Sequence, residues 1–267
     1  MTQDPRPLIE VVAGIVLNES GGYLLSSRPE GKPYAGYWEF AGGKVEAGES
    51  LFQALQREFE EELGIRIHRA TPWLTKIHAY EHAHVRLNFL RVEADEWSGK
   101  LQAKEGQAWS WQKAGDFTVS PMLPANGPLL KALSVPRRFS GSLAVALYGE
   151  NGCGAYIVVP HRLAEAHHAH VWLDERDLAA GQALPQAESV WLRIQNAEQW
   201  PRVQDADVAV WQVAGEASAQ AVLQRLRQGV ALPLVVEAAP DLAAQYESRW
   251  LAAGAHAVIL NTETEAV

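Results

Sequence analysis

The chain has 267 residues, 48% hydrophobic and 21% charged, with a formal net charge of −9. That length suits two ordinary domains or one large one, and the acidic balance argues against a sequence-independent grip on a nucleic-acid polymer, which needs a cationic surface. Cys153 is the only cysteine, so no intrachain disulfide can form. No apolar run approaches the ~18 residues of a membrane span, and the amino terminus lacks a basic segment followed by an apolar one; the expectation is a soluble protein of the cytoplasm, without a membrane partner.

Taken in order, Leu8 to Leu17 is rich in β-branched residues and reads as a strand. Residues 18–22 form a turn, so Tyr23 to Arg28 is predicted to pair back as a hairpin. Pro29 to Tyr37 holds two prolines and two glycines and is a loop. Ser50 with Gln53 is a capping-box signature and Gly64 a natural left-handed cap, which bound a helix. On that helix Leu51, Phe52, Leu55, Phe59 and Leu63 fall on one face by their spacings of three and four, and that face is core. Glu58, Glu61 and Glu62 gather about 100° round from it. Like charges at these spacings weaken an isolated helix, so stability alone does not select them. A divalent cation reverses the sign: Mg²⁺ takes oxygen ligands and is held by a few carboxylates together with substrate phosphates. Arg57 reaches Glu61 one turn on and can hold that carboxylate in place.

Strands follow at about Trp73 to Tyr80, Val85 to Glu93 and Ala108 to Trp111, then a short helix from Pro128 to Leu133 with proline in its first turn. His78, His82 and His84 sit in or beside the first two of these strands without the further ligands of a zinc site. The first ~135 residues are thus a mixed sheet with one long and one short helix. Ser134 to Ser142 is basic and rich in breakers, which gives a division into 1–135, a link at 136–142 and a second domain at 143–267. In the latter, apolar runs at 143–148, 155–159, 170–173, 190–194, 208–213, 234–237 and 257–260 are separated in several places by helical stretches, notably 217–228 and 242–253. That alternation indicates parallel βα units and an α/β class.

Gly43, Glu49, Arg57, Glu58, Phe59, Glu61, Glu62, Gly64 and Ile65 occupy all nine defined positions of the Nudix box, G-x5-E-x7-R-E-U-x-E-E-x-G-U, where U is aliphatic or bulky and apolar. Residues 8–133 resemble the MutT-type branch of that family, pyrophosphohydrolases that destroy oxidised guanine nucleotides. The likeness extends to Trp38 to Lys44, with Ala41 where proline is usual, to Lys104 to Gln107 followed by Trp109, and to Leu123 to Asn126 followed by Pro128. The resemblance implies an α/β/α sandwich and hydrolysis of a nucleoside triphosphate, 8-oxo-dGTP or a relative, to the monophosphate and pyrophosphate. It implies Mg²⁺, with Mn²⁺ a substitute, held by Glu58, Glu61 and Glu62 with the Gly43 carbonyl and Glu105. Either Glu58 or Glu105 is then the general base, while Glu49 and Arg57 orient helix and loop. Lys44 is placed on a phosphate oxygen, and Arg28, Phe40 and Asn126 at the base, where an amide offers a donor and an acceptor side by side. Hydrolysis of another nucleotide (a pyrimidine triphosphate, a dinucleotide or a sugar nucleotide) is the alternative, as is a regulator that binds without cleaving.

The second half weakly resembles thiamine-phosphate-synthase-like barrels, through His170 to Asp174 with Asp177 and Leu178, and through Leu251 to Ile259. A full (βα)₈ barrel takes ~200 to 250 residues, so the expectation is an incomplete barrel of TIM type. Val236 to Pro240 lacks the glycines of a phosphate cradle, and no transferase residue is carried over. Open strand edges would pair with a second copy, giving a homodimer, or pack on the first half.

Overall fold

A computed structural model describes residues 6–81 and 83–261; His82 and the amino-terminal five residues weighed above lie outside it. The chain divides into two units, Met1–Lys131 and Ala132–Val267. The first contains β1 (Leu8–Val16), β2 (Tyr23–Ser27), β3 (Trp38–Glu39), β4 (Gly42–Lys44), α1 (Leu51–Leu63), β5 (Ile65–Ile67), β6 (Thr71–Ala79), β7 (His84–Val92), β8 (Trp97–Gly99) and β9 (Trp109–Gln112). A 3₁₀ turn at Pro124–Asn126 then leads into α2 (Gly127–Leu133), which runs through the division.

Val12 to Val16 are all buried, and a strand sealed on both faces belongs inside a sheet rather than at its edge. Accordingly β1 pairs antiparallel with β4 and parallel with β7, in a mixed sheet of order β4-β1-β7-β6. The hairpin expected between the first two strands does not form. Both edges of β1 are taken, so after one isolated bridge, Leu17 to Tyr23, β2 passes to a second sheet of order β3-β2-β9.

Helix α1 starts and stops where its sequence says. Ser50 and Gln53 make the reciprocal capping box, and Gly64 closes the helix at φ 66°. Leu55, Phe59 and Leu63 bury against Val12, Val16, Leu90 and Val92 of the sheet. Gly14 lets the helix come close, since a Cβ there would lie 2.7 Å from the Phe59 ring. Side chains alternate along a strand, so the residues between those of the helix-covered set look the other way. In register across that opposite face stand Lys44, Val11, Leu87 and Lys76, on β4, β1, β7 and β6 respectively.

The second unit contains β10 (Ser140–Ser142), β11 (Ala146–Asn151), β12 (Gly154–Pro160), β13 (His170–Asp174), α3 (Glu175–Ala179), β14 (Ser189–Ile194), β15 (Val208–Val213), α4 (Glu216–Gln228), β16 (Leu234–Ala238), α5 (Pro240–Ala252) and β17 (Ala257–Leu260). One eight-stranded sheet runs β10 to β17 in chain order, parallel from β12 onward. The segment 136–142, expected to be a link, contributes β10. With β11 it forms an antiparallel flap that comes alongside β17, so the sheet nearly closes into a barrel where open edges were expected. Its interior is filled by Tyr156, Trp172, Trp191, Val208, Val210, Val235 and Ile259. Among the described residues no helix is long and apolar enough to cross a membrane.

Candidate active site

The loop that enters α1 and the helix's own second and third turns are held together by one side chain. Arg57 donates through Nε and Nη2 to the two oxygens of Glu49, at 2.8 and 2.9 Å, through Nη1 to Glu58 at 2.8 Å, and through Nη2 to the Lys44 carbonyl at 3.0 Å. Its Nη1 also stands 3.4 Å from Glu61. A planar fork with several donors does this where an ammonium would not. The bonds from Arg57, with a further one from the Glu46 amide, lower the Glu49 carboxyl to about 2. Those to Glu49 and Glu58 raise Arg57 further above its already high range.

Glu58 is pressed against the backbone of Gly43, where a Cβ would collide with its carboxylate. Any side chain there would displace the Glu58 carboxylate from the loop. Gly42, just before it, sits at φ 153°, where a Cβ would also run into the Val12 carbonyl of β1. The two glycines bring β4 and the acidic helix face together.

Glu62 lies on the same helix face and is largely buried. Burial is the main cause that pushes its carboxyl up to about 7; Lys32 opposes, while Glu105, Glu58 and Glu39 add to the rise. Lys32, unremarked in the sequence, reaches in from the 29–37 loop and sets Nζ 2.5 Å from Glu105 and 3.4 Å from Glu62. Burial works against the Lys32 charge, but hydrogen bonds and attraction from Glu105 and Glu62 outweigh it and raise its pKa. Glu105 itself is brought to α1 by backbone and side-chain ties. Gln107 donates to the Glu62 carbonyl at 2.8 Å and accepts from the Glu105 amide at 2.9 Å, and Lys104 Nζ donates to the Glu60 carbonyl at 2.8 Å.

The structure therefore gathers Gly43, Glu49, Arg57, Glu58, Glu61, Glu62 and Glu105 at one end of the first unit. Among the described residues no three acid, imidazole or thiol groups form a ready-made cage. The donor set nonetheless fits a hard cation. It is all oxygen, Glu105 and Glu58 add to the rise of the Glu62 carboxyl, and Glu105 already draws in an ammonium.

The residues expected at the base fare differently. Phe40 is 3% exposed and packs edge-to-face on Phe89 at 6.5 Å, so its ring is core and not a stacking surface. Alternation along a short strand places an apolar residue inside as readily as it offers one to a ligand. Arg28 is taken by Glu39, both oxygens of which lie 2.7 Å from Nη1, and by the Pro33 carbonyl at 2.6 Å. Lys44 projects from the exposed end of β4. Asn126 is buried with Nδ2 3.5 Å from the Trp38 carbonyl, and the segment before it is stitched to β3 through Trp38 to Pro121 and Leu123 to Trp38, at 2.8 and 3.0 Å.

The family model described as the NUDIX domain matches residues 7–133. A Haemophilus influenzae protein named 8-oxo-dGTP diphosphatase is 38% identical over 128 residues, 48% of this chain and 93% of that one. An Escherichia coli protein named CTP pyrophosphohydrolase is 40% identical over 136 residues, 49% of this chain and 94% of that one. A second Escherichia coli protein, named 8-oxo-dGTP diphosphatase, is 31% identical over 125 residues, 47% of this chain and 95% of that one.

Proposed function

The chain belongs to the Nudix family and is a nucleoside-triphosphate pyrophosphohydrolase, and from that premise we propose that its substrate is an oxidised purine nucleotide of the 8-oxo-dGTP kind, cleaved to the monophosphate and pyrophosphate. The observation that carries polyphosphate cleavage is the acidic end of α1, where Glu62 is pushed up to about 7 beside Glu58 and Glu105; the oxidised purine is supported by the relatives named 8-oxo-dGTP diphosphatase. Such a cluster is an expense to the free protein that a divalent cation and a polyphosphate together relieve.

Nudix hydrolases generally use divalent metal ions; here Glu58, Glu61 and Glu62, with the Gly43 carbonyl and Glu105, would hold Mg²⁺ or Mn²⁺. When bound, such an ion neutralises phosphate oxygens and makes a water easier to deprotonate. Arg57 and Glu49 fix the loop of Gly43 and Lys44 against the helix, so the carboxylates keep their positions as charge develops. Lys44 presents its ammonium to a phosphate oxygen. Glu58 or Glu105 takes the proton of the attacking water, and Asn126 meets the purine edge.

The test is release of pyrophosphate from 8-oxo-dGTP, dGTP, dATP and CTP by the full chain with Mg²⁺. A higher kcat/KM for 8-oxo-dGTP supports the reading, and equal rates for oxidised and plain guanine nucleotides refute it. CTP is the second reading, because the relative named CTP pyrophosphohydrolase shares 40% of aligned residues with this chain. For the second unit we retain descent from a thiamine-phosphate-synthase-like barrel as a proposal, supported by the parallel run β12 to β17. No step is assigned to it, since β16 passes into α5 through Ala238, Ala239 and Pro240 without a glycine.

A further inference from the structure

One row of the first unit's sheet, on the face away from α1, reads Lys44, Val11, Leu87, Lys76. At ~4.8 Å between strands, its two lysines stand about 14 Å apart. Lys44 follows Gly43, on which Glu58 is packed, so its end of the row borders the carboxylates. Val11 and Leu87 between them are partly exposed aliphatic floor. The adjoining row on one side holds Ala13, Phe89 and Leu74, with Phe40 against Phe89. On the other side are Val85 and His78, whose ring lies 4.3 Å from that of Tyr80. Tyr80 in turn feels the charges of Glu39 and Arg28, which ties this end to the loop before the box.

Lys76 is thus a cation set among aliphatic and aromatic side chains at the end of the row remote from the acidic cluster. It is half-buried, and burial lowers its pKa with no acid to oppose the effect. Among the described residues it has no hydrogen-bonding or ionic partner. An amine removed from water without an acceptor costs free energy, and apolar sites for planar ligands use just such isolated polar groups to fix orientation.

We propose that Lys76 is a specificity-determining residue for the nucleobase, its Nζ donating to a carbonyl oxygen on the base of a triphosphate whose phosphates lie toward Lys44. This rests on the pyrophosphohydrolase reading above. A lysine donor suits guanine, which presents O6 and N7 as acceptors, and an 8-oxo-guanine adds a second carbonyl; adenine presents an amino group where guanine has O6. The row therefore selects keto purines, with Lys44 and Lys76 gripping opposite ends of one nucleotide.

The test compares wild type, K76M and K76R in the full chain, by kcat/KM for 8-oxo-dGTP, dGTP and dATP and by equilibrium binding of the non-hydrolysable imido analogues of dGTP and dATP. In K76M the preference for guanine over adenine nucleotides should fall by about 10- to 100-fold, as loss of one base-reading hydrogen-bond donor predicts, mostly through KM, and the binding ratio should fall with it. K76R should recover part of the preference. A loss of the same size for every base, or an unchanged ratio in both assays, overturns the assignment of Lys76 while leaving the pyrophosphohydrolase intact. A wild type that releases pyrophosphate from none of the triphosphates overturns the activity itself and this inference with it.

Discussion

Glu62 in the first unit and Asp174 in the second are both substantially buried carboxylates with ionised neighbours, yet they shift in opposite directions. At Glu62 burial dominates, and Glu105, Glu58 and Glu39 outnumber the one opposing ammonium of Lys32, so the group is driven up to about 7. At Asp174 burial again works against the charge, but the Arg176 and Arg193 guanidiniums outweigh it and the carboxyl is held below its usual range. Arg193 donates to Asp174 at 2.8 Å, lies 3.5 Å from Glu237, and stacks over the Trp172 ring at 4.6 Å. The lesson lies in the balance of neighbours. A carboxylate matched by arginines inside its own unit is a fastening, whereas one crowded by other carboxylates waits for positive charge from outside.

The widest separation of the two should come from neutralising each group. Replacing Glu58 or Glu62 by Gln should lower kcat by about 10²- to 10⁴-fold, the range for losing a catalytic acid–base or metal-ligand group, while in the Glu62 variant, which no arginine fastens, the melting temperature holds or rises because a like-charge contact has gone. Steady-state rates and thermal melts on the same preparations check both halves. A Glu62 variant that melts well below wild type would make that glutamate structural and erase the contrast with Asp174.

How much of this was legible depends on how local the cause is. Helix α1 and its acidic face could be read directly, because Ser50, Gln53 and Gly64 act within one turn of where they stand and the spacing of Glu58, Glu61 and Glu62 fixes their common face. Lys32 was not readable. It sits in an aperiodic loop, and only the fold carries it across to Glu105, 73 residues on. Arg28 and Phe40 were named for the base, but the partner of the first, Glu39, and the burial of the second depend on how β2, β3 and β7 come together. Strands as short as β3 and β4 carry no period to detect, and β10 looked like a link because the stretch that holds it is basic and rich in breakers. Lys76 was passed over for a related reason: one lysine in a strand says nothing until the register shows what shares its row.

A smaller effect separates a hub from a single contact. In R57K the ammonium cannot make the paired bonds to Glu49 while also reaching Glu58 and the Lys44 carbonyl, so metal affinity should weaken by roughly 10- to 100-fold, as when an outer partner of a metal ligand is lost. Titration with Mn²⁺ followed by its EPR signal measures this apart from turnover. An affinity equal to wild type would show that the carboxylates hold their places without Arg57.

The mildest change belongs to the second unit and appears in stability alone. Asp174→Asn keeps the shape but gives up the charge-assisted bonds to Arg193 and Arg176, which should cost about 1 to 3 kcal/mol. The sign with pH follows from the depressed pKa: the folded carboxylate gives up its charge at a lower pH than the unfolded one. Its contribution is therefore fully present above the ordinary aspartate range and is lost as pH falls through the folded value. Thermal melts of wild type and D174N should differ most near neutrality and converge only once pH has fallen through the depressed folded value, below which both carry a neutral group at 174, with pyrophosphate release at neutral pH the same in the two proteins. A gap that persists undiminished in acid would mean that the asparagine disturbs packing around Trp172 rather than a charge pair, and the parallel drawn with Glu62 would then rest on the first unit alone.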